Sequence, residues 1–296
     1  MAIVDGTSSN DRLIGTETDD TLNGLSGNDT LIGSSGNDLL DGDDGDGDTA
    51  DYSSLGEAIT LERAGTVNKG SLGNDQILDI ERIIGAEGQA NAIDGSTGIS
   101  GQTSFSINFD VKQLIVRDIP RLGDLTFRIE NFVNATGTSQ SDNIAGNSQD
   151  NRLSGGDSND GITGASGNDT LIGGNGTDFL VGGGDADTLI GGLGEADNFR
   201  YNSINDSTPT SRDIIDFEAD SDSITLSPID ADLSVEGNQA FAFIGSNPFN
   251  SSSSNGQVRY DAANNLIQAQ AIGSDNLLEI ESSVSFDSLS ESDFIL

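Results

Sequence analysis

The sequence predicts an all-β fold: two arrays of a nine-residue repeat, a β-rich spacer between them, and a C-terminal β domain. Three observations predict it. Gly returns every nine residues in two separate blocks. An apolar residue returns in phase with that Gly, as one face of a short strand requires. Between and after the blocks, short runs of alternating apolar residues are bounded by Gly, Asn, Asp and Ser, the pattern of half-buried strands.

The first array, residues 1–52, opens its repeats on Gly6, Gly15, Gly24, Gly33 and Gly42. Its sixth positions are Asp11, Asp20, Asp29 and Asp38, and its eighth positions Leu13, Leu22, Leu31 and Leu40. One extra residue in the last repeat moves its acid to Asp48. The acidic run Asp41, Asp43, Asp44, Asp46, Asp48 lacks the Gly placement and the twelfth-position Glu of an EF-hand, so it reads as the end of the array.

The spacer, residues 53–136, predicts strands at 58–61, 77–84, 105–109, 114–116 and 125–129. The stretch from Glu81 to Gly95 echoes the one from Glu130 to Gly146, a degenerate duplication that predicts a β-solenoid or sandwich-like connection. The second array, residues 137–199, opens on Gly137, Gly146, Gly155, Gly164, Gly173, Gly182 and Gly191. Its acids are Asp142, Asp160, Asp169, Asp178 and Asp187, with Asn151 breaking the series and Asp197 displaced by one extra residue. Ile144, Leu153, Ile162, Leu171, Leu180 and Leu189 hold the eighth position. Composition alone does not phase three positions over so many repeats, which excludes a disordered Gly/Asp-rich linker.

Residues 198–296 differ in character, with most of the Phe and three of the 4 Pro, and 200–296 is taken as the C-terminal domain. Asp213-Ile214-Ile215-Asp216-Phe217, Asp222 to Ser227, Asn238 to Gly245 and Val258 to Asp261 read as short strands and turns. The chain ends on Asp293-Phe294-Ile295-Leu296.

Composition removes whole classes of function. The 296 residues carry 50 acidic and 12 basic side chains, a formal charge of −38, with no His and no Cys. An ordinary zinc site, a Ser-His-Asp or Cys-His nucleophile and a disulfide are therefore impossible within this chain. The charge opposes binding to nucleic acid or to anionic membrane surfaces. No apolar run approaches a membrane span, and the N-terminus shows no Sec-type signal. A hydrophobic fraction of 33% and an aromatic fraction of 5% predict a thin core rather than a large layered one. The partner such a chain invites is calcium, which takes oxygen ligands.

The repeats resemble the RTX calcium-binding nonapeptide family. Asp169-Thr170-Leu171, Gly176-Thr177-Asp178, Leu180-Val181-Gly182-Gly183 and Asp187 fall at its spacing. The resemblance implies parallel β-rolls, two nonapeptides per turn, with calcium between successive loops on one edge. Residues eighteen apart then pair: Asp20 with Asp38, Asp160 with Asp178, Asp169 with Asp187. The implied ligand set is Asp20, Gly24, Gly27, Asp29, Gly33, Gly36 and Asp38 in the first array. In the second it is Asp160, Gly164, Gly167, Asp169, Gly173, Gly176, Asp178, Gly182 and Asp187. It would hold roughly four to eight Ca2+ ions, a range set by the repeat count and the family's eighteen-residue pairing. The early repeats, with Ser9, Thr18, Gln140 and Gln149 at the fourth position, read as capping turns with weaker or absent calcium.

Residues 198–296 resemble the C-terminal domain of serralysin-type metalloproteases, and the terminal acid-plus-apolar residues resemble that family's uncleaved type I secretion signal. A serralysin needs H-E-x-x-H to hold zinc, and this chain has no His. Acid pairs such as Glu279 and Glu281 arise freely among so many carboxylates and do not mark a glycosidase. No long apolar region precedes the first array, as it does in pore-forming RTX toxins. The expectation is a secreted, extracellular, non-enzymatic calcium-binding protein, exported by type I (ABC) machinery, with folding coupled to calcium. An array starting directly after Met1 favours a complete short protein with an unidentified surface or matrix partner. The alternative is a detached secretion and folding module of a protease or other hydrolase encoded elsewhere.

Overall fold

In the first array the nine-residue period divides into three residues of strand and six of turn. Arg12–Ile14, Thr21–Asn23, Thr30–Ile32 and Leu39–Asp41 are the strands. Six residues reverse the chain, so successive strands fall on opposite faces, and the first two pair, parallel, with the strands eighteen residues on. Thr21 to Asn23 lies in register with Leu39 to Asp41, and Arg12 to Ile14 with Thr30 to Ile32. The middle residue of each strand points between the two faces. Leu22, Leu31 and Leu40 are fully buried there. Removing such a side chain from water is worth about 1.5–3 kcal/mol. One residue in nine makes a thin core.

The structure, a computed structural model, describes residues 1–62, 65–96, 103–119, 123–192, 196–218, 221–283 and 289–296. It forms two units, residues 1–139 and 140–296. In each, two faces of mainly parallel strands enclose the core, an all-β parallel β-roll architecture. Among the described residues no helix is long and apolar enough to cross a membrane.

In the first unit the roll continues past the repeats, interrupted by two antiparallel insertions. Thr60–Glu62, Thr66–Asn68 and Asn74–Leu78 form one meander, whose last strand pairs parallel with Leu39–Asp41. Ser104–Asn108, Gln113–Ile119 and Gly123–Glu130 form the other, whose last strand pairs parallel with Arg82–Ile84. The run 77–84, expected as one strand, is two. Asn74–Leu78 lies on one face and Arg82–Ile84 on the other, and between them Asp79 holds φ 47°. A left-handed residue turns the chain from face to face, whereas apolar alternation alone reads straight through it.

In the second unit Ile144, Leu153, Ile162, Leu171 and Leu180 are fully buried in the same way. Parallel stacking runs beyond the last nonapeptide with longer steps. Thr188 and Leu189 pair with Ile214 and Ile215, and Asn198 to Arg200 with Ser223 to Thr225. Phe294–Ile295, near the chain's end, adds a parallel strand to Ile224 and Thr225. Gln257–Asp261, Leu266–Gln270 and Leu278–Ser282 close the other face antiparallel.

Candidate metal-binding turns

From Asp20 onward in the first array, and at Asp160, Asp169, Asp178 and Asp187 in the second, the sixth-position Asp side chain folds back into the roll. One carboxylate oxygen, Oδ1, accepts the backbone N–H of the residue one turn earlier. Asp142 donates to Asp160, Asn151 to Asp169 and Asp160 to Asp178, each at 2.7 Å, and Asp169 to Asp187 at 2.8 Å. In the first array Asp11 donates to Asp29 at 2.7 Å and Asp20 to Asp38 at 2.9 Å. The carboxylates thus form ladders of period eighteen along each edge.

The second oxygen separates the turns into two kinds. In Asp29, Asp48, Asp160, Asp169, Asp187 and Asp197, Oδ2 is buried without a hydrogen-bond partner, whereas Asp75 and Asp213 each interact with a buried tyrosine hydroxyl, Tyr52 and Tyr201. A buried carboxylate oxygen with no donor is costly unless a cation meets it. Asp20 is different: its Oδ2 accepts the Thr16 amide at 2.6 Å and the Thr16 hydroxyl at 2.7 Å, while Ala2 donates to Oδ1. These bonds hold the Asp20 carboxyl below its ordinary value, the Thr16 hydroxyl acting most strongly. Asp38 Oδ2 is met by the ammonium of Lys69 at 3.2 Å. Asp178 is buried like its neighbours, with Oδ1 on the Asp160 amide.

Burial is also the main force on the ionisation of the open turns and of Asp213. It pushes the Asp160 and Asp213 carboxyls up to about 8 and Asp187 up to about 7. Asp169 and Asp197 rise to about 6. Neighbouring carboxylates add to each rise, and the amide on Oδ1 opposes it.

The first-position glycines Gly24, Gly33, Gly164, Gly173 and Gly182 give the carboxylate its room. A Cβ on Gly24 would lie 2.5 Å from Asp29 Oδ2 and 2.7 Å from the carbonyl oxygen of Gly42. On Gly164 it would meet Asp169 Oδ2 and, at 2.6 Å, the carbonyl oxygen of Gly182. Carboxylate and carbonyl oxygens therefore converge where the side chain is missing. The fourth-position glycines Gly27, Gly36, Gly167 and Gly176 have φ between 106° and 127°, and a Cβ on Gly176 would collide with the backbone of Ser158 one turn earlier. Gly164→Ala removes no oxygen, yet should cost about 1–3 kcal/mol of overpacking and raise the calcium needed for folding in a titration followed by circular dichroism.

Among the described residues no three acidic side chains come together. A cation here would take most of its oxygens from backbone carbonyls and only one or two from carboxylates. That donor set, all oxygen and weakly charged, suits calcium. The unpartnered Oδ2 atoms and the side-chain-free cradle beside them fit the ion.

Several functional groups fall outside the nonapeptides. Asp75 Oδ1 accepts the Asp38 amide at 3.0 Å, and Asp213 and Asp222 accept those of Asp187 and Asp197, each at 3.0 Å. Glu81 accepts the Asp48 amide at 2.9 Å. Asn91 replaces the acid altogether. Its Oδ1 accepts the Ile59 and Ala86 amides and its Nδ2 donates to the carbonyls of Ala86 and Asn131, so that turn closes on protein atoms. A hydroxyl directly after the first Gly, as in Gly15-Thr16, was the one local signal for a self-satisfied turn.

The family model described as RTX calcium-binding nonapeptide repeat (4 copies) matches residues 5–40 and 14–48. The model described as Peptidase M10 serralysin C terminal matches residues 124–296. Among solved structures, the chain is similar to the R3 subunit of AlgE6, a mannuronan C5-epimerase of Azotobacter vinelandii. Identity is 24% over 53% of this chain and 78% of that one, with a TM-score of 0.32. It is also similar to the extracellular lipase LipA of Serratia marcescens, at 17% identity and a TM-score of 0.32; the match covers 99% of this chain and 42% of the lipase chain. No curated protein matches the chain.

Proposed function

We propose that this chain, which belongs to the peptidase M10 serralysin C-terminal family and carries RTX calcium-binding nonapeptide repeats, is a secreted protein whose β-roll turns close around extracellular calcium. The observation that carries this reading is the row of buried Oδ2 atoms without a donor. Bound calcium would supply the positive charge those oxygens lack. The turns proposed to hold it are those of Asp29 and Asp48 in the first array, and of Asp160, Asp169, Asp178, Asp187 and Asp197 in the second. The first-position glycines keep the space open, and the carbonyls around them complete the oxygen shell.

Without the ion, folding must bury unpaired carboxylates in a chain of charge −38 with few apolar residues. Extracellular calcium modules bind at about 10⁻⁴ to 10⁻³ M, so cytosolic calcium would leave the turns open. An unfolded chain suits passage through a narrow type I exporter, and the terminal Asp293-Phe294-Ile295-Leu296 is proposed as part of the export signal. The role is binding rather than catalysis: neither matching family model describes a catalytic domain.

Far-UV circular dichroism of the chelated chain, titrated with calcium beside a magnesium control, tests the proposal. A cooperative gain of β signal with calcium alone is expected. A β signal already complete in chelator would overturn calcium-driven folding.

A further inference from the structure

Lys69 is fully buried, the only basic side chain in the core among the described residues. It lies between Asn68 and the 3-10 turn Gly70–Leu72, within the first insertion. Its backbone is fixed by the Lys69 N–H donating to the Gly73 carbonyl at 2.9 Å and the Leu72 N–H donating to the Lys69 carbonyl at 3.1 Å. The ammonium donates to the Ser34 carbonyl at 2.7 Å, to Asp38 Oδ2 at 3.2 Å, and pairs with Asp75 Oδ1 at 2.5 Å. Three N–H donors meet three oxygens, the full capacity of the group.

The rung it fills is otherwise built like the open ones. The Asp38 amide donates to Asp75 Oδ1 at 3.0 Å, as the Asp169 amide donates to Asp187 Oδ1 at 2.8 Å. A Cβ on Gly33 would lie 2.6 Å from Asp38 Oδ2 and 2.7 Å from Asp75 Oδ2, the cradle seen at Gly164. The partner carboxylate is 37 residues on rather than 18. The added residues are those of the meander that carries Lys69.

We propose that the Lys69 ammonium is a tethered cation standing in a calcium position, so that the turn between Asp38 and Asp75 closes without metal. This rests on the calcium reading of the open turns. Asp20 on Thr16 and Asp38 on Lys69 make one edge of the first array self-sufficient, while Asp29 and Asp48 on the other edge stay open. The first array is then only partly dependent on calcium, with a preformed edge against which the other closes. Removing the ammonium leaves two carboxylates and a carbonyl facing one space, the beginnings of an additional calcium site.

Native mass spectrometry of the full chain and of Lys69→Ala, at saturating calcium, counts the ions. The variant is expected to hold one more than the parent. An equal count in a folded variant would overturn the proposal. Should Lys69→Ala fail to fold even in calcium, hydrogen exchange of the parent in chelator decides. The segment 34–40 is expected to exchange at least tenfold more slowly than 165–171, and equal rates would overturn the proposal. A parent that takes up no calcium anywhere would refute the proposed function while leaving the protection of 34–40, which reports Lys69 alone, intact.

Discussion

Replacing Asp169 with Asn is expected to raise the calcium concentration at half-folding at least about tenfold, while leaving the calcium-free chain no less stable. The two effects come from the two oxygens. Oδ1 accepts the Asn151 amide at 2.7 Å, and the Asn carbonyl preserves that bond. Oδ2 is buried without a partner, and an amide there removes the charge that opposes calcium-free folding. In calcium the same change removes a charged ligand, and altering even the outer partners of a metal site costs 10–100-fold in affinity. Each factor of ten is about 1.4 kcal/mol. Asp178→Ala should shift the midpoint in the same direction. Asp43 is exposed and its amide merely caps Asp41, so Asp43→Ala should change it little. Calcium titrations of the three variants by circular dichroism check this, and equal midpoints would remove the assignment of the turns.

Raising the pH from 6 to 8 should weaken the calcium-free fold without lowering the calcium midpoint of folding. In the folded, calcium-free chain Asp160 and Asp213 titrate near 8, Asp187 near 7, and Asp169 and Asp197 near 6. In the unfolded chain each returns to the ordinary 3.8. The folded state therefore binds protons more tightly. These groups stabilise the calcium-free fold fully below the unfolded value, and that contribution is lost as pH rises through 6 to 8. Calcium requires the carboxylates ionised. The unfolded chain and the calcium-bound fold are both ionised at these pH values, so folding around calcium releases no proton and the midpoint stays level, or rises where protonation had helped the fold to form. Titrations at pH 6 and pH 8 in the same buffer give the comparison. In chelator the residual β signal should be larger at pH 6. A residual signal in chelator no larger at pH 6 than at pH 8 would mean that protonation of these buried carboxylates does not support the calcium-free fold.

The repeat phase makes much of the roll legible in the sequence. The Leu and Ile of the eighth position, Leu22, Leu31, Leu171 and Leu180 among them, are the buried residues. Strands eighteen residues apart pair in register. What escaped lies where the period fails. Asp75, Asp213 and Asp222 supply carboxylates to the ladders from outside the nonapeptides, and an acid reaching its rung across an insertion has no fixed spacing to betray it. Lys69 carries no signal in the sequence between Asn68 and Gly70, because nothing local says that the meander folds it inward. The Gly15 repeat reads as a capping turn from Thr18 at its fourth position; the residue that satisfies Asp20 is Thr16, while nothing comparable satisfies Asp29.

The last two rungs of the second array lean on residues that are not repeats. The amides of Asp187 and Asp197 are held by Asp213 and Asp222, which sit beside the apolar side chains Phe217 and Ile224 and the parallel strand Phe294–Ile295. This gives assembly a starting point and a direction in time. The C-terminal segment, with Phe199, Phe217, Ile224 and Ile280 buried, is the richest apolar part of its unit and can order first. It then offers a ready surface on which the nearest turn is laid down, and each completed turn becomes the template for the one before it in sequence. A nucleus is costly and growth from it cheap in a stacked repeat. The roll would then zip from the last residues toward the first, opposite to the order in which the ribosome made them.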